Sequence, residues 1–284
     1  MQERVPEVQR DPTLKVTTHG GLSVISAFAN GIGSAIGVNL SLSVEFLDKE
    51  SKNSDAIEKT LERLNRIYRM EYHPHVRVRS KIPRSVGLKS SSALTLAIVL
   101  GFFHYHEKDL SDAPAVAAEC SRANGTSITG AIDDVYCAMY GGVTLTDNNK
   151  DKMLIHHPVK EREVLVCYPK NIRRVTSMID QASIKNAAGS FLPLRKLVED
   201  GFYYEAMVLN GLIMGNIMGY DREILSYLLR SGANYASISG KGPAMFAIYD
   251  DHEDFINAAR NFPEKRYEVV MTKLSNAKAV VESN

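Results

Sequence analysis

Residues 83–93 read PRSVGLKSSSA, a proline-led loop with one glycine, one lysine and three successive serines that runs straight into an apolar stretch. Those residue types at that spacing suit phosphate. Unpaired amides and the positive dipole end of a helix attract anions, and Gly87 lets the backbone approach closely. The hydroxyls of Ser90, Ser91 and Ser92 can hold phosphate oxygens or a magnesium ion, and Lys89 adds a positive charge. The plainer alternative is a serine-capped helix with a flexible lead-in. The loop is not a Walker motif, because the chain's GK pair, Gly240 and Lys241, is followed by Gly242 where serine or threonine is required.

Carboxylates come next. In TGAIDDVYCAMYGG, residues 129–142, Asp133 and Asp134 stand at the start of an apolar helical pattern. First-turn acids often do no more than favour the helix dipole. In a kinase one of them can accept a proton from the attacking hydroxyl. Adjacent helical residues point about 100° apart, so only one is expected to face the reacting centre. Glu119 is a candidate magnesium ligand, since that ion prefers a few hard carboxylate or hydroxyl oxygens; its alternative is an exposed helical glutamate. SGKGPAMF, residues 239–246, is a glycine and proline turn that, in company with the serine loop, suggests a second backbone surface facing the first. GIGSAIG, residues 31–37, has GxGxxxG spacing and precedes a strand pattern, which excludes a dinucleotide fingerprint. It reads as a tight turn into a strand, or as a backbone wall against a substrate.

The elements that must position these groups are legible in part. VNLSLSVEF, residues 38–46, alternates apolar and polar residues and predicts a half-buried strand. Ile57, Leu61, Leu64 and Tyr68 recur at helical spacing behind Ser54 and Asp55, predicting an amphipathic helix over residues 54–70. Val76 and Val78 alternate with Arg77 and Arg79 in a second strand that Pro83 stops. Then follow a buried helix, a short helix after Asp112, another ending at Gly141 and Gly142, and a hairpin turning at Asp147 to Lys150. The second part opens with an apolar strand over residues 164–168, continues through helical stretches to a strand, turn and strand around SISGKGPAMFAIYD, and closes with helix and strand. With no regular βαβ beat and no internal repeat, the expectation is a two-domain α+β protein, divided into residues 1–157 and 158–284.

Composition narrows the partners. With 34 basic and 33 acidic residues among 284, nothing argues for nucleic acid or an anionic membrane, and a small molecule is the better default. The apolar run at residues 93–103 is about half of what a bilayer crossing needs, and the charged first twenty residues hold no secretory h-region. Cys120, Cys137 and Cys167 form no CxxC pair, which fits reduced thiols in the cytoplasm. The paired histidines lack nearby acidic or cysteine partners for a closed metal site.

The order of PRSVGLKSSSA, an acidic helix start ending in GG, and SGKGP resembles the GHMP kinases, whose usual motifs are PxxxGLGSSAA and SGxGP. Within that superfamily, HGGLSVISAFANGIGSAIG, GLKSSSA, TGAIDD and LNGL are similar to the archaeal shikimate kinases, and the likeness runs from about residue 15 to 250. The resemblance implies a two-domain α+β fold, with an N-terminal mixed α/β domain that binds ATP and a C-terminal ferredoxin-like α+β domain. It implies phosphorylation of shikimate at its 3-hydroxyl with ATP and Mg²⁺, in a monomer or homodimer. Pro83, Val86, Gly87, Leu88, Lys89, Ser90, Ser91, Ser92 and Ala93 would wrap the ATP phosphates, Gly240, Lys241 and Gly242 would approach from the second lobe, and Ser91 with Glu119 would hold magnesium. The acidic catalytic residue is Asp134 when counted back from Gly141 and Asp133 when counted forward from Gly130, and Lys89 would assist it. Gly31, Gly33, Ser34 and Asn210 would border the substrate, whose carboxylate would pair with Arg77, Arg79, Arg173 or Arg174. Lys89 and Lys241 replace smaller residues of many members, and either adds charge to the phosphate site or points to solvent. The competing readings are a homoserine or mevalonate kinase, which shares the phosphate motifs, and a nonenzymatic ATP-binding protein.

Overall fold

The computed structural model describes residues 14–47, 52–127, 129–171, 181–220, 222–263 and 265–283. Arg173 and Arg174 lie outside them. The first sheet is built on β1 (Leu14–Ile25) and β2 (Ile32–Leu47), which pair antiparallel along most of their length. The alternation at residues 38–46 is realised: Val38, Leu40, Leu42, Val44 and Phe46 are all buried. On its other edge β2 pairs with β3 (His75–Ser80) at one end and with β4 (Val143–Asp147) at the other, and β4 forms a hairpin with β5 (Lys152–His157). Most of GIGSAIG is therefore strand and not a turn, since Ile32 to Ile36 pair with β4 and Ser34 to Gly37 pair with β1. Its small residues answer to crowding on a doubly paired strand, where a side chain would strike the elements stacked above.

Four helices pack with this sheet: α1 (Asp55–Tyr68), α2 (Ser90–Tyr105), α3 (Ala113–Ala123) and α4 (Ile132–Tyr140). α2 and α4 lie against β1 and β2, while α1 and α3 cover α2. α2 is apolar on every side and buried from Leu96 through Phe103, as a helix enclosed all round must be. α1 has one buried stripe, Ile57, Leu61 and Leu64, and a charged outer face.

The second sheet comes from β6 (Glu163–Pro169), β7 (Tyr235–Ile238), β8 (Met245–Tyr249) and β9 (Tyr267–Lys273), in the order β7-β8-β6-β9 and antiparallel throughout. Between β6 and β7 run α5 (Gln181–Asn186), α6 (Ala188–Glu199), α7 (Tyr203–Met218) and α8 (Arg222–Arg230), and α9 (His252–Arg260) joins β8 to β9. That succession and strand order are ferredoxin-like. α7 packs on both β7 and β1 and so links the two sheets. Among the described residues no helix is long and apolar enough to cross a membrane.

The chain then returns. Past β9, Ser275 donates to Gly37 O and accepts from Gly142 N, each at 2.9 Å; Ala279 N donates to Met139 O at the end of α4, and β10 (Val280–Ser283) pairs with β1. A Cβ built on Gly37 would lie 2.7 Å from Ser275 O and 3.0 Å from Gly141 Cα, both backbone atoms. Gly37→Ala is accordingly expected to destabilise the protein by about 1–3 kcal/mol through overpacking, read as a lower midpoint in urea at unchanged slope.

Candidate active site

The serine loop enters α2 through a left-handed Lys89 (φ 68°), whose carbonyl accepts the amide of Ala93. The first amides of α2 have no intrahelical acceptor, and Ser90, Ser91 and Ser92 line a cavity of about 340 Å³. Gly87, at φ 98°, presses against the second domain: a Cβ there would sit 2.2 Å from Ser239 O. Ser239 Oγ donates to Gly87 O at 2.7 Å and accepts from Ser23 N at 3.1 Å, while Ala244 N donates to Val86 O at 2.9 Å. The SGKGP turn is thus stitched to the serine loop, and Gly240 and Lys241 line the same cavity.

Opposite charges meet here. Lys89 Nζ lies 2.6 Å from Asp134 Oδ1 and donates to Ser23 Oγ at 2.5 Å. Burial works against the Lys89 charge, but the carboxylates of Asp134 and then Asp133 outweigh it and hold the ammonium above the usual lysine range. Asp134 keeps 18% of its side chain exposed. Asp133 is enclosed: Asn148 Nδ2 donates to its Oδ1 at 2.8 Å, and a Cβ on Gly33 would come within 2.6 Å of its Cγ. Burial and then the Asp134 charge push Asp133 up to about 7, against the opposing pull of Lys89 and Asn148. The adjacent aspartates therefore have different surroundings, one a half-open partner of an ammonium and the other a tightly packed carboxyl. Burial holds Lys241 below the ordinary lysine range, with Asp134 opposing and Lys89 adding to the shift.

The remaining expected residues divide. Val86, Leu88 and Ala93 point into the core, and Pro83 and Gly242 do not line the cavity, so alternate residues of the loop serve packing and the others serve the cavity. Glu119 is not brought there. It faces α1, with Arg63 Nη2 at 2.5 Å from its Oε1, because Ser121, which does line the cavity, sits two residues further along α3. Two helical steps turn a side chain through about 200°, so α3 cannot present both. Gly31, Gly33 and Ser34 also lie off the cavity: Gly31 O accepts from Asn148 N at 2.7 Å, and Ser34 Oγ donates to Thr144 O at 2.6 Å. Asn210 is buried on α7, its Oδ1 accepting from Ser26 N at 2.8 Å. Arg77 is committed to Glu45 at 3.0 Å.

Several wall residues were not singled out by type or spacing: Ser23, Ser26, Ala27 and Phe28 at the end of β1, and Thr126, Ser127 and Thr129 before α4. The first group lies inside the HGGLSVISAFANGIGSAIG stretch, which carried the resemblance as a whole without marking which of its members face the cavity. The second is a run of small hydroxyl residues that reads as an ordinary loop.

Comparison with known proteins agrees with this geometry. The family described as "GHMP kinases N terminal domain" matches residues 54–142, and "GHMP kinases C terminal" matches residues 205–268. The chain is 38% identical to shikimate kinase of Thermoplasma acidophilum, over 86% of this chain and 90% of that protein. It is 32% identical to shikimate kinase of Methanothrix thermoacetophila, over 83% and 85% respectively. Among solved structures, Methanococcus jannaschii mevalonate kinase superposes with a TM-score of 0.73 at 13% identity, covering 92% of this chain and 98% of that one. At that identity the likeness speaks for the fold alone.

The raised carboxyl has a consequence for stability. With Asp133 near 7 in the folded protein against an ordinary 3.8, the native state binds this proton more tightly than the unfolded chain does. The stability it contributes is greatest below the unfolded value, is lost as pH rises through that interval, and changes little above it. Asp133→Asn removes the titration, so the variant is expected to gain stability relative to the native chain between about pH 4 and pH 8. Urea midpoints of both proteins across that range measure the difference.

Proposed function

The chain belongs to the GHMP kinases, in the family of the archaeal shikimate kinases, and from that premise we propose that it transfers the γ-phosphoryl group of ATP to the 3-hydroxyl of shikimate, giving 3-phosphoshikimate and ADP. The observation that carries the reading is that a serine-rich helix start and a buried lysine–aspartate pair open on one cavity. A phosphate donor at the first needs an acceptor hydroxyl at the second.

In this reading the amides and hydroxyls at Ser90, Ser91 and Ser92 hold the phosphates in line with the acceptor, where positioning and charge stabilisation supply most of the rate. Asp134 takes the proton of the attacking hydroxyl on the carboxylate oxygen that Lys89 does not hold. Lys89, in contact with Asp134 at 2.6 Å, fixes the orientation of its carboxylate and faces the charge that builds on the transferred group. Asp133, enclosed by Asn148 and Gly33, fixes the start of α4. Mg²⁺, when bound, neutralises phosphate charge. The donor set fits it, because this ion keeps several waters and needs only one or two protein oxygens beside phosphate. Ser91 supplies a hydroxyl on the cavity wall, and among the described residues there is no cluster of three acidic, histidine or cysteine side chains that would form an all-protein cage. Glu119 stays with Arg63 and is left out of this ligand set. We place the reaction in the cytoplasm, in keeping with three free, buried cysteines.

The test is ADP release from MgATP with shikimate, homoserine or mevalonate as sole acceptor, followed by the product mass. Turnover with shikimate alone is expected. Activity on another acceptor would overturn the substrate, and ATP binding without acceptor-dependent ADP release would overturn catalysis. Asp134→Asn is expected to lower kcat by about 10²–10⁴-fold with ATP binding retained, and Asp133→Asn by much less; the reverse order would exchange their roles. Chelation of Mg²⁺ is expected to stop turnover until the ion is restored.

A further inference from the structure

The β4–β5 hairpin buries an asparagine at its turn. Asn148 is 4% exposed, whereas Asn149 and Lys150 after it are open to solvent. An asparagine in a turn commonly bonds the turn's own backbone, but here Asp147 does so, its Oδ1 accepting from Asn149 N at 3.1 Å. The Asn148 side chain is turned inward instead. Thr146 Oγ1 donates to its Oδ1 at 2.7 Å, which directs the amide nitrogen toward α4. Nδ2 then donates to Asp133 Oδ1 at 2.8 Å and to Thr129 Oγ1 at 3.3 Å. Asn148 N donates to Gly31 O at 2.7 Å, tying the turn to the residue before β2.

Those side-chain acceptors bracket the sharpest part of the cavity wall. Between Thr129 and Asp133 the chain passes through left-handed Gly130 (φ 82°) and Ala131 (φ 50°) before α4 begins. A left-handed residue that carries a side chain is unfavourable and persists only where its surroundings enforce it. The Asn148 amide supplies that enforcement, because it grips the chain on both sides of the turn. Arg122 of α3 adds to it: Nη1 donates to Thr129 O at 3.4 Å, and Nη2 pairs with Asp151 of the same hairpin at 2.6 Å. Thr129, Ala131, Asp133 and Asp134 all line the cavity, so whatever fixes this turn fixes the direction in which Asp134 leaves α4.

We propose that Asn148 is a positioning residue for phosphoryl transfer: by clamping Thr129 and Asp133 across the left-handed turn, it holds the first turn of α4 so that Asp134 faces the acceptor hydroxyl. The inference rests on the kinase reading with Asp134 as the base. Asn148 does not itself line the cavity, so it acts through Asp133 and not on the substrate. The charges acting on Asp133 are Asp134 beside it and Lys89 before α2. From β2 and β4 come Gly33 and Thr144, both uncharged; Arg122 of α3 is engaged by Asp151, and His156 of β5 meets Gly141 at the far end of α4.

The experiment compares native protein with Asn148→Ala and Asn148→Asp, using shikimate and MgATP between about pH 6 and pH 8. Asn148→Ala removes the clamp, and its kcat is expected to fall by about 10–100-fold, the worth of one to two hydrogen bonds, with the KM for ATP unchanged because the serine loop is untouched. Asn148→Asp keeps the side-chain outline and the bond from Thr146 but sets a carboxylate against Asp133. A proton shared between the two carboxyls restores the lost donor, so the ratio of its kcat to the native kcat is expected to rise as pH falls. Urea midpoints give a readout that needs no turnover. The Asn148 bond favours ionised Asp133, so its loss raises the folded-state value above the present one of about 7. The stability from this proton is full below the unfolded value and is lost as pH rises through the folded one. In Asn148→Ala that loss therefore continues to higher pH, and the deficit against native protein is expected to widen above about pH 7. A purely structural asparagine would lower the midpoint by the same amount at every pH and leave the Asn148→Asp ratio flat. That result overturns the proposal, as does an unchanged kcat in both variants. Absence of shikimate turnover by the native protein overturns the functional reading and the positioning role with it, whereas native turnover with either of those results overturns the positioning role alone.

Discussion

Lys89 and Asp134 are charges largely withdrawn from water, and a charge in that position must be answered by an opposite one at contact distance. Removing one partner of such a buried pair costs about 3–5 kcal/mol, chiefly because the other is left unanswered. The pair at 2.6 Å constrains much of the molecule, since its members come from different elements. Lys89 is the residue before α2, Asp134 lies in the first turn of α4, Ser23 of β1 accepts from the ammonium, and a Cβ on Gly240 would stand 3.8 Å from it. Two helix starts, the central sheet and the turn of the second domain must all converge on one point.

That convergence is held by unfavourable backbone that the surrounding packing enforces. Lys89 and Ala131, which precede the two helices, are both left-handed at φ 68° and φ 50°. Such conformations in residues with a side chain cost on the order of 1–3 kcal/mol and gather at functional sites. Here they turn the chain abruptly, so that each helix begins at the cavity and its unpaired amides and first-turn side chains are spent there. The apolar body of α2 anchors one side and the return of the chain end onto Gly37, Gly142 and Met139 anchors the other. Hydrogen bonds from Ser239 and Ala244 then fix the serine loop to the second domain. The result is a set of donors and charges oriented before any ligand arrives, which is the condition under which electrostatic stabilisation is strong.

Much of this could be read from residue order. The period-two run of β2, the stripe of α1 and the unbroken apolar stretch of α2 gave those elements directly, because each buries one face or all faces and the pattern records it. The serine loop, the aspartates and the SGKGP turn were recognisable as chemistry from their types. β1 was not, because its alternation stops at Gly20 and Gly21 and its second half is buried on both sides, which erases the period. Nor was the first part of β2, where Gly33 and Gly37, with Gly31 just before the strand, imitate a turn although Ser34 to Ile36 are paired on both edges.

For the site itself, local sequence determined which residues were able to bind phosphate, carry charge or accept a proton, since those are properties of side chains and of helix ends. Tertiary structure alone decided which of them are used in the cavity. It separated Asp134 from Asp133, turned Glu119 to Arg63 and away from Ser121, and placed Ser26 against Asn210 across 184 positions of chain. These outcomes depend on the angle at which each helix meets the sheet and on what lies across the gap. Contacts between residues distant in the chain set both, and no pattern within a single element encodes them.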